Sequence, residues 1–113
     1  MKKKSTQKFK KITQLRSLFP KQINVRVHQS KNGKFCAEII TYPDCFTEAD
    51  TFSSLIEMVN DAVRTYYEVP KKYFPYVPNY MPPLKLAQKF NIFPIREKTG
   101  ELKFEIINQG AKS

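Results

Sequence analysis

From Ile23 to Gln29 apolar and polar residues alternate, with Ile23, Val25 and Val27 on one side and Asn24, Arg26 and His28 on the other. A period of two marks a half-buried strand. Phe35 to Tyr42 alternates in the same way and places Phe35, Ala37 and Ile39 on one face. Between the two runs lies Ser30-Lys31-Asn32-Gly33-Lys34, and Asn-Gly in that setting is a strong hairpin signal. A three-residue loop, Lys31 to Gly33, puts Gly33 in the left-handed region. It sets Val27 opposite Ala37 and Val25 opposite Ile39, and brings Arg26 opposite Glu38 on the far face. A two-residue loop would pair Val27 with Glu38 and mix the faces, so the longer loop is expected.

Tyr42-Pro43-Asp44 stops the second run, because proline lacks a ladder donor and aspartate favours a turn. Cys45-Phe46-Thr47 is read as a short third strand. Asp50 or Thr51 then caps a helix in which Phe52, Leu55, Ile56, Val59, Ala62, Val63 and Tyr66 recur at steps of three and four. Glu57, Asp61 and Glu68 lie off this stripe. Pro70 disfavours helical geometry at Val69 and ends the helix. The expected fold class is therefore α+β: an antiparallel sheet of three to four strands with one main helix packed across it, in the order β-β-β-α-β, plus a C-terminal hairpin.

The flanks are less periodic. Residues 1–22 form a basic N-terminal arm. Met1 to Lys11 reads as a solvated tail, and Phe9, Ile12, Leu15 and Phe19 could line a short helix ending at Pro20. Pro70 to Pro83 holds five prolines and four aromatics and reads as an irregular segment whose rings cover the open face of the domain, residues 23–83. Leu84 to Phe90 suggests a turn or two of helix. Ile92 to Ile107 is read as a hairpin turning at Lys98-Thr99-Gly100, with Leu102, Phe104 and Ile106 on one face, and the last six residues are expected to fray. Together these make residues 84–113 a basic C-terminal extension.

Charge sharpens this division. The net charge of +10 is large for 113 residues and favours acidic partners such as nucleic acid. Yet Ile23 to Val69 carries four bases and seven acids, while the segments on either side carry eight bases each. An acidic module thus sits between basic arms. Lys2, Lys3, Lys4, Lys8, Lys10 and Lys11 in the first arm, with Lys71 and Lys72 beside the Pro-rich rings, are the candidates to bind nucleic acid. Two cysteines, Cys36 and Cys45, make neither a disulfide framework nor a zinc site, so a cytoplasmic protein is expected. The lysines at the start are not followed by an apolar run, and no segment approaches the roughly 18 apolar residues of a membrane span.

Little points to catalysis. His28, the single histidine, comes beside Cys36 across the hairpin, but no orienting third group or oxyanion hole is legible. Glu38, Glu48, Asp50, Glu57 and Asp61 could suggest a nuclease metal site. A helix start explains Asp50, and a solvated helix face explains Glu57 and Asp61. No enzyme, cofactor or metal is expected.

Residues 23–69 resemble the HicB antitoxin family. The resemblance rests on the Asn32-Gly33 hairpin, on the run Pro43-Asp44-Cys45-Phe46-Thr47-Glu48-Ala49-Asp50-Thr51, and on the helix bearing Asn60-Asp61-Ala62-Val63. Family members commonly show a Pro-Gly-Cys turn, a Thr-x-Gly-x-Thr step and a Glu-Ala pair in the helix. Pro43, Cys45, Thr47 and Thr51 fit. Asp44 and Ala49 replace the glycines, and Ser54-Leu55 stands at the Glu-Ala pair. The resemblance implies a partial ribonuclease-H-like fold without catalytic carboxylates. It also implies a homo-oligomeric antitoxin that masks a HicA-like toxin, a small basic protein that cleaves messenger RNA. The exposed acids Glu48, Asp50, Glu57 and Asp61 are the candidates to meet the toxin's cations. No C-terminal helix-turn-helix or ribbon-helix-helix pattern is present, so any operator DNA or RNA would be bound by the basic arms. The alternative is a stand-alone nucleic-acid-binding module using those arms and the aromatic Pro-rich segment.

Overall fold

The computed structural model describes residues 2–91 and 97–106, without the side chains of residues 2–8, 86 and 91. Strands β1 (Gln22–Gln29) and β2 (Phe35–Ile39) form the expected hairpin. The register is Val27 with Ala37, Arg26 with Glu38 and Val25 with Ile39. Gly33 has φ 91°, and its N–H donates to the Ser30 carbonyl at 2.9 Å. The Asn32 side-chain oxygen accepts from the Lys34 N–H at 3.2 Å and completes the turn.

Strand β3 (Phe46–Ala49) starts one residue later than the pattern suggested and runs to Ala49. Before it, Asp44 stands at φ 56°, a left-handed turn position that aspartate tolerates better than most residues. Helix α2 (Phe52–Tyr66) begins where the Thr51 hydroxyl accepts the Ser54 N–H at 3.0 Å. Its far end closes as a Schellman motif. The Val69 N–H donates to the Arg64 carbonyl at 3.0 Å, and the Glu68 N–H to the Thr65 carbonyl at 2.9 Å. Glu68 holds the left-handed position, φ 54°, that glycine normally fills. Glu68→Gly should therefore raise stability by about 1 kcal/mol, read as a higher urea midpoint at unchanged slope. A lower midpoint would mean that Glu68 makes a stabilising contact.

Five antiparallel strands form one sheet in the order β3-β2-β1-β5-β4, which corrects the expected three to four. The added elements are β4 (Tyr80–Met81) and β5 (Lys98–Ile106). Lys98-Thr99-Gly100 is not a turn but the start of β5, which pairs with β1 along its whole length, from Gln29 with Lys98 to Gln22 with Glu105. Gly100 lies opposite Val27 on the inner face. The Phe90 ring covers it, and an added Cβ would sit 3.5 Å from that ring. That is an ordinary contact distance, so the space would admit a small side chain, and the glycine sits within a strand and not at a bend. Leu102 and Phe104 face the core as expected. The first arm of the expected C-terminal hairpin, from Ile92, and the last six residues fall outside the described residues.

The Pro70–Pro83 segment is more regular than expected. It holds a 3₁₀ turn, Lys71–Tyr76, and then β4, whose Tyr80 pairs with Ile106 of β5. Tyr80 is fully buried, Tyr73 and Phe74 are half-buried and Tyr76 is exposed, so the rings cover the domain unequally. Helix α3 (Leu84–Gln88) and a 3₁₀ turn (Lys89–Asn91) follow, and the latter stacks Phe90 on Phe52 at 5.5 Å.

α2 lies against β2, β3 and β4 on the inner face of the sheet. Leu55, Val59 and Val63 meet Ile23, Val25, Val27 and Ile39 there, all at most 1% exposed. Helix α1 spans Lys2–Ser17, where a tail was expected through Lys11. The expected apolar line divides: Leu15 in the helix and Phe19, two residues past its end, are buried, with Phe19 4.9 Å from the Tyr67 ring, while Phe9 is 72% exposed.

Candidate functional site

The acids expected to act together fall into two groups. α2 presents Glu57 and Asp61 one turn apart on its solvent side, because the apolar stripe Leu55, Val59 and Val63 turns the other way. Both line a groove of about 630 Å³ between α2 and the 3₁₀ turn and β4. Ile56, Met58, Phe74 and Met81 give it apolar walls. Among the described residues neither acid has an ion-pair partner. Glu48 instead lies on β3, opposite Cys36, on the outer face of the sheet, and Asp50 is exposed just beyond it. The period-3.6 pattern placed Glu57 and Asp61 together. It carried no information on which side of the sheet Glu48 would lie.

The groove has a cationic end. Arg64 lies one turn past Asp61, with its guanidinium 5.0 Å from the Phe74 ring centre, and its Nη2 donates to Asn79 Oδ1 at 3.3 Å. Its buried Nε has no hydrogen-bond partner among the described residues. Asn60 sits at the base of the groove and is 3% exposed. Its Nδ2 donates to the carbonyls of Ile56 and Tyr80, both at 2.9 Å, while its Oδ1 accepts the Tyr80 N–H at 2.6 Å. The amide thus acts toward β4 as a neighbouring strand would. Arg64 had no part in the sequence pattern, and Asn60 only a place in the run Asn60-Asp61-Ala62-Val63, with no role in holding β4. A polar residue on the apolar side of a helix is the signal that could have found Asn60.

The outer face of the sheet is polar. Arg26 reaches Glu38 at 2.8 Å, as the register implied, and also Glu101 of β5 at 3.1 Å. The bonds to Glu101 and then Glu38 push its pKa up. His28 does lie opposite Cys36, but its nitrogens turn to β5 and the chain before it. Nδ1 is 2.6 Å from the Thr99 hydroxyl and Nε2 is 3.4 Å from Glu97. Burial raises the thiol pKa of Cys45 and so lowers its thiolate fraction. Among the described residues no cluster of three or more His, Cys, Asp or Glu could hold a metal ion. No helix there is long and apolar enough to cross a membrane.

Of the basic candidates, Lys10 and Lys11 are exposed on α1, and Lys71 and Lys72 are exposed on the 3₁₀ turn that packs against α1. Lys72 Nζ lies 5.2 Å from the Tyr73 ring centre. The side chains of Lys2, Lys3, Lys4 and Lys8 are outside the described residues. Comparison of the chain with protein-family models, curated proteins and solved structures finds no match.

Proposed function

We propose that this protein is a non-enzymatic antitoxin that binds and neutralises a small basic toxin of the HicA type. The observation that carries the reading is the groove along α2. Glu57 and Asp61 stand at its rim with no ion-pair partner among the described residues, above walls that include Met58, Phe74 and Met81. Such a surface suits a cationic protein with an apolar anchor: methionine adapts its shape, aromatic anchors concentrate binding energy, and unpaired acids speed encounter and select the partner. The turn Pro43-Asp44-Cys45 adds support, because Asp44 holds a left-handed backbone at the position where the HicB family has glycine. On this reading β1, β2, β3 and α2 correspond to the family's partial ribonuclease-H-like module, cytoplasmic and self-associating.

The test is co-expression with the small basic protein encoded beside its gene, scored by growth rescue and by recovery of the complex. Glu57→Lys with Asp61→Lys should abolish rescue and weaken the complex by about a hundredfold or more, with the circular dichroism spectrum unchanged. If the doubly reversed variant binds as tightly at low salt, the groove is not the toxin surface.

A second reading has its own observation: the Lys71–Tyr76 turn packs against α1, so two lysine-bearing segments distant in the chain are neighbours in the fold. A nucleic-acid-binding module would use Lys10, Lys11, Lys71 and Lys72 in this way. Its affinity for single strands should fall with salt by a logarithmic slope of about −0.7 per phosphate contacted, unlike a packed protein interface.

A further inference from the structure

Strand β3 is an edge of the sheet, and among the described residues no strand pairs with its outward side. The Ile39 N–H donates to the Cys45 carbonyl at 2.8 Å, so Cys45 turns its backbone groups toward β2. By antiparallel alternation Thr47 and Ala49 do the same, while Phe46 and Glu48 turn theirs away from the sheet. No other described segment pairs with them. Their side chains lie opposite Glu38 and Cys36 on the outer face, where Phe46 is 66% exposed. Beside them is a hollow of about 360 Å³, lined by Arg26, His28, Cys36, Glu38, Phe46 and Glu48. An open backbone edge and a side-chain hollow next to it are the two parts of a strand-addition site. The edge supplies main-chain hydrogen bonds and the hollow supplies selectivity.

Charge decides what the edge accepts. Asp44, Glu48 and Asp50 flank or belong to β3, and residues 44–50 contain no base. Arg26, the nearest cation in the hollow, is already shared by Glu38 and Glu101. A second copy adding here antiparallel about Thr47 would bring Asp44 of each copy toward Asp50 of the other. Like charges brought opposite one another disfavour that pairing. An extended segment with a lysine or arginine opposite Glu48 and an apolar side chain opposite Phe46 meets charge with charge and covers the exposed ring. We propose that the free edge of β3, with the hollow beside it, is a docking site for an extended basic segment of a partner protein, which joins the sheet as an additional strand. This goes beyond the toxin reading and does not depend on it, because the hollow and the α2 groove share no residue.

The probe is a short labelled peptide alternating lysine and threonine, with one phenylalanine two residues after its central lysine. It is titrated against the full chain by fluorescence anisotropy and followed by amide hydrogen exchange. Binding should slow exchange at the Phe46 and Glu48 amides. Methylating the peptide's edge-facing amide nitrogens, which keeps its charge but removes its donors, should abolish it. Glu48→Gln should weaken binding about tenfold, and Glu48→Pro, which also removes the outward donor at a position where an edge strand accommodates proline, should weaken it further. Equal binding of the methylated peptide would overturn the proposal in favour of charge alone. Loss of binding on reversing Glu57 and Asp61 would move the site to the α2 groove. Slow exchange at Phe46 and Glu48 without peptide, in a chain sedimenting as a dimer, would make a second copy the occupant. Absence of binding would also overturn it. The peptide comparison decides even if the proline variant does not fold.

Discussion

Asn60→Ala should lower the unfolding free energy by about 3 kcal/mol, an unusually large loss for a polar residue. The reason is the position of its amide between α2 and β4. Oδ1 accepts the Tyr80 N–H at 2.6 Å, and Nδ2 donates to the Tyr80 carbonyl at 2.9 Å. Tyr80 is fully buried opposite Ile106 of β5, and Asn60 takes both its N–H and its carbonyl, so an alanine leaves a buried donor and a buried acceptor without the partner they have. Each such group costs about 1–3 kcal/mol. The nearly isosteric Asn60→Asp should cost a comparable amount, since it keeps the acceptor but loses the donor and adds a buried charge. The measurement is a urea titration combined with hydrogen exchange at the Tyr80 amide. Exchange there should become fast in the alanine variant even where the Val25 and Val27 amides stay protected. An alanine variant within about 0.5 kcal/mol of the parent would mean that β4 finds other partners and is not held by Asn60.

Tyr80 also shows why part of the fold was hidden in the sequence. The β1–β2 register was legible because it depends on residues close in the chain: Asn32-Gly33 sets the loop, and Arg26 with Glu38 excludes the alternative. α2 was legible for a similar reason, since Phe52, Leu55, Val59 and Val63 repeat within one segment. β4 has only two residues, between prolines, and is defined by a side chain twenty positions earlier and a strand twenty-six positions later. No local pattern carries that. β5 was misread at its start because Lys98-Thr99-Gly100 has the composition of a turn. In the fold these residues pair with Val27, His28 and Gln29 of β1, far earlier in the chain, and Gly100 lies under the Phe90 ring, contacts that exist only after folding.

The same limit applies to the candidate surfaces. Glu57 and Asp61 could be placed together because helical spacing fixes them relative to each other. Glu48 fell just past the third strand as read from sequence, Cys45-Phe46-Thr47, and its face was fixed only once β3, Phe46–Ala49, was registered against β2. The result is two separate acidic surfaces, a groove along a helix and a strand edge. They suit partners of different shape though of the same charge. Arg64 belongs to the first of these and was not visible as such: its role depends on Phe74 and Asn79, which the chain brings back only after the Pro70 turn.

The two basic flanks should differ sharply when removed. A chain ending at Glu97 should not fold, because β5 is not an appendage but the strand between β1 and β4. Its loss opens the full length of β1, uncovers Val25 and Val27 and leaves β4 without a strand to pair with. The point substitution that tests this without truncation is Phe104→Ala. Phe104 is fully buried opposite Ile23, and emptying that site should cost about 3–5 kcal/mol, much of the stability available to a domain of this size. Phe104→Leu keeps most of the volume and should cost about half as much. Deleting residues 1–11 should move stability by no more than about 0.5 kcal/mol, because Phe9, Lys10 and Lys11 are exposed and the buried residues Leu15, in α1, and Phe19, just after it, lie beyond the cut. Urea titrations of the four variants give the comparison. A large loss from the N-terminal deletion would mean that α1 is part of the core and that its lysines are held in place by folding. A cooperative transition in the chain ending at Glu97 would mean that β1, β2, β3 and α2 form a stable unit alone, with β5 an addition to it.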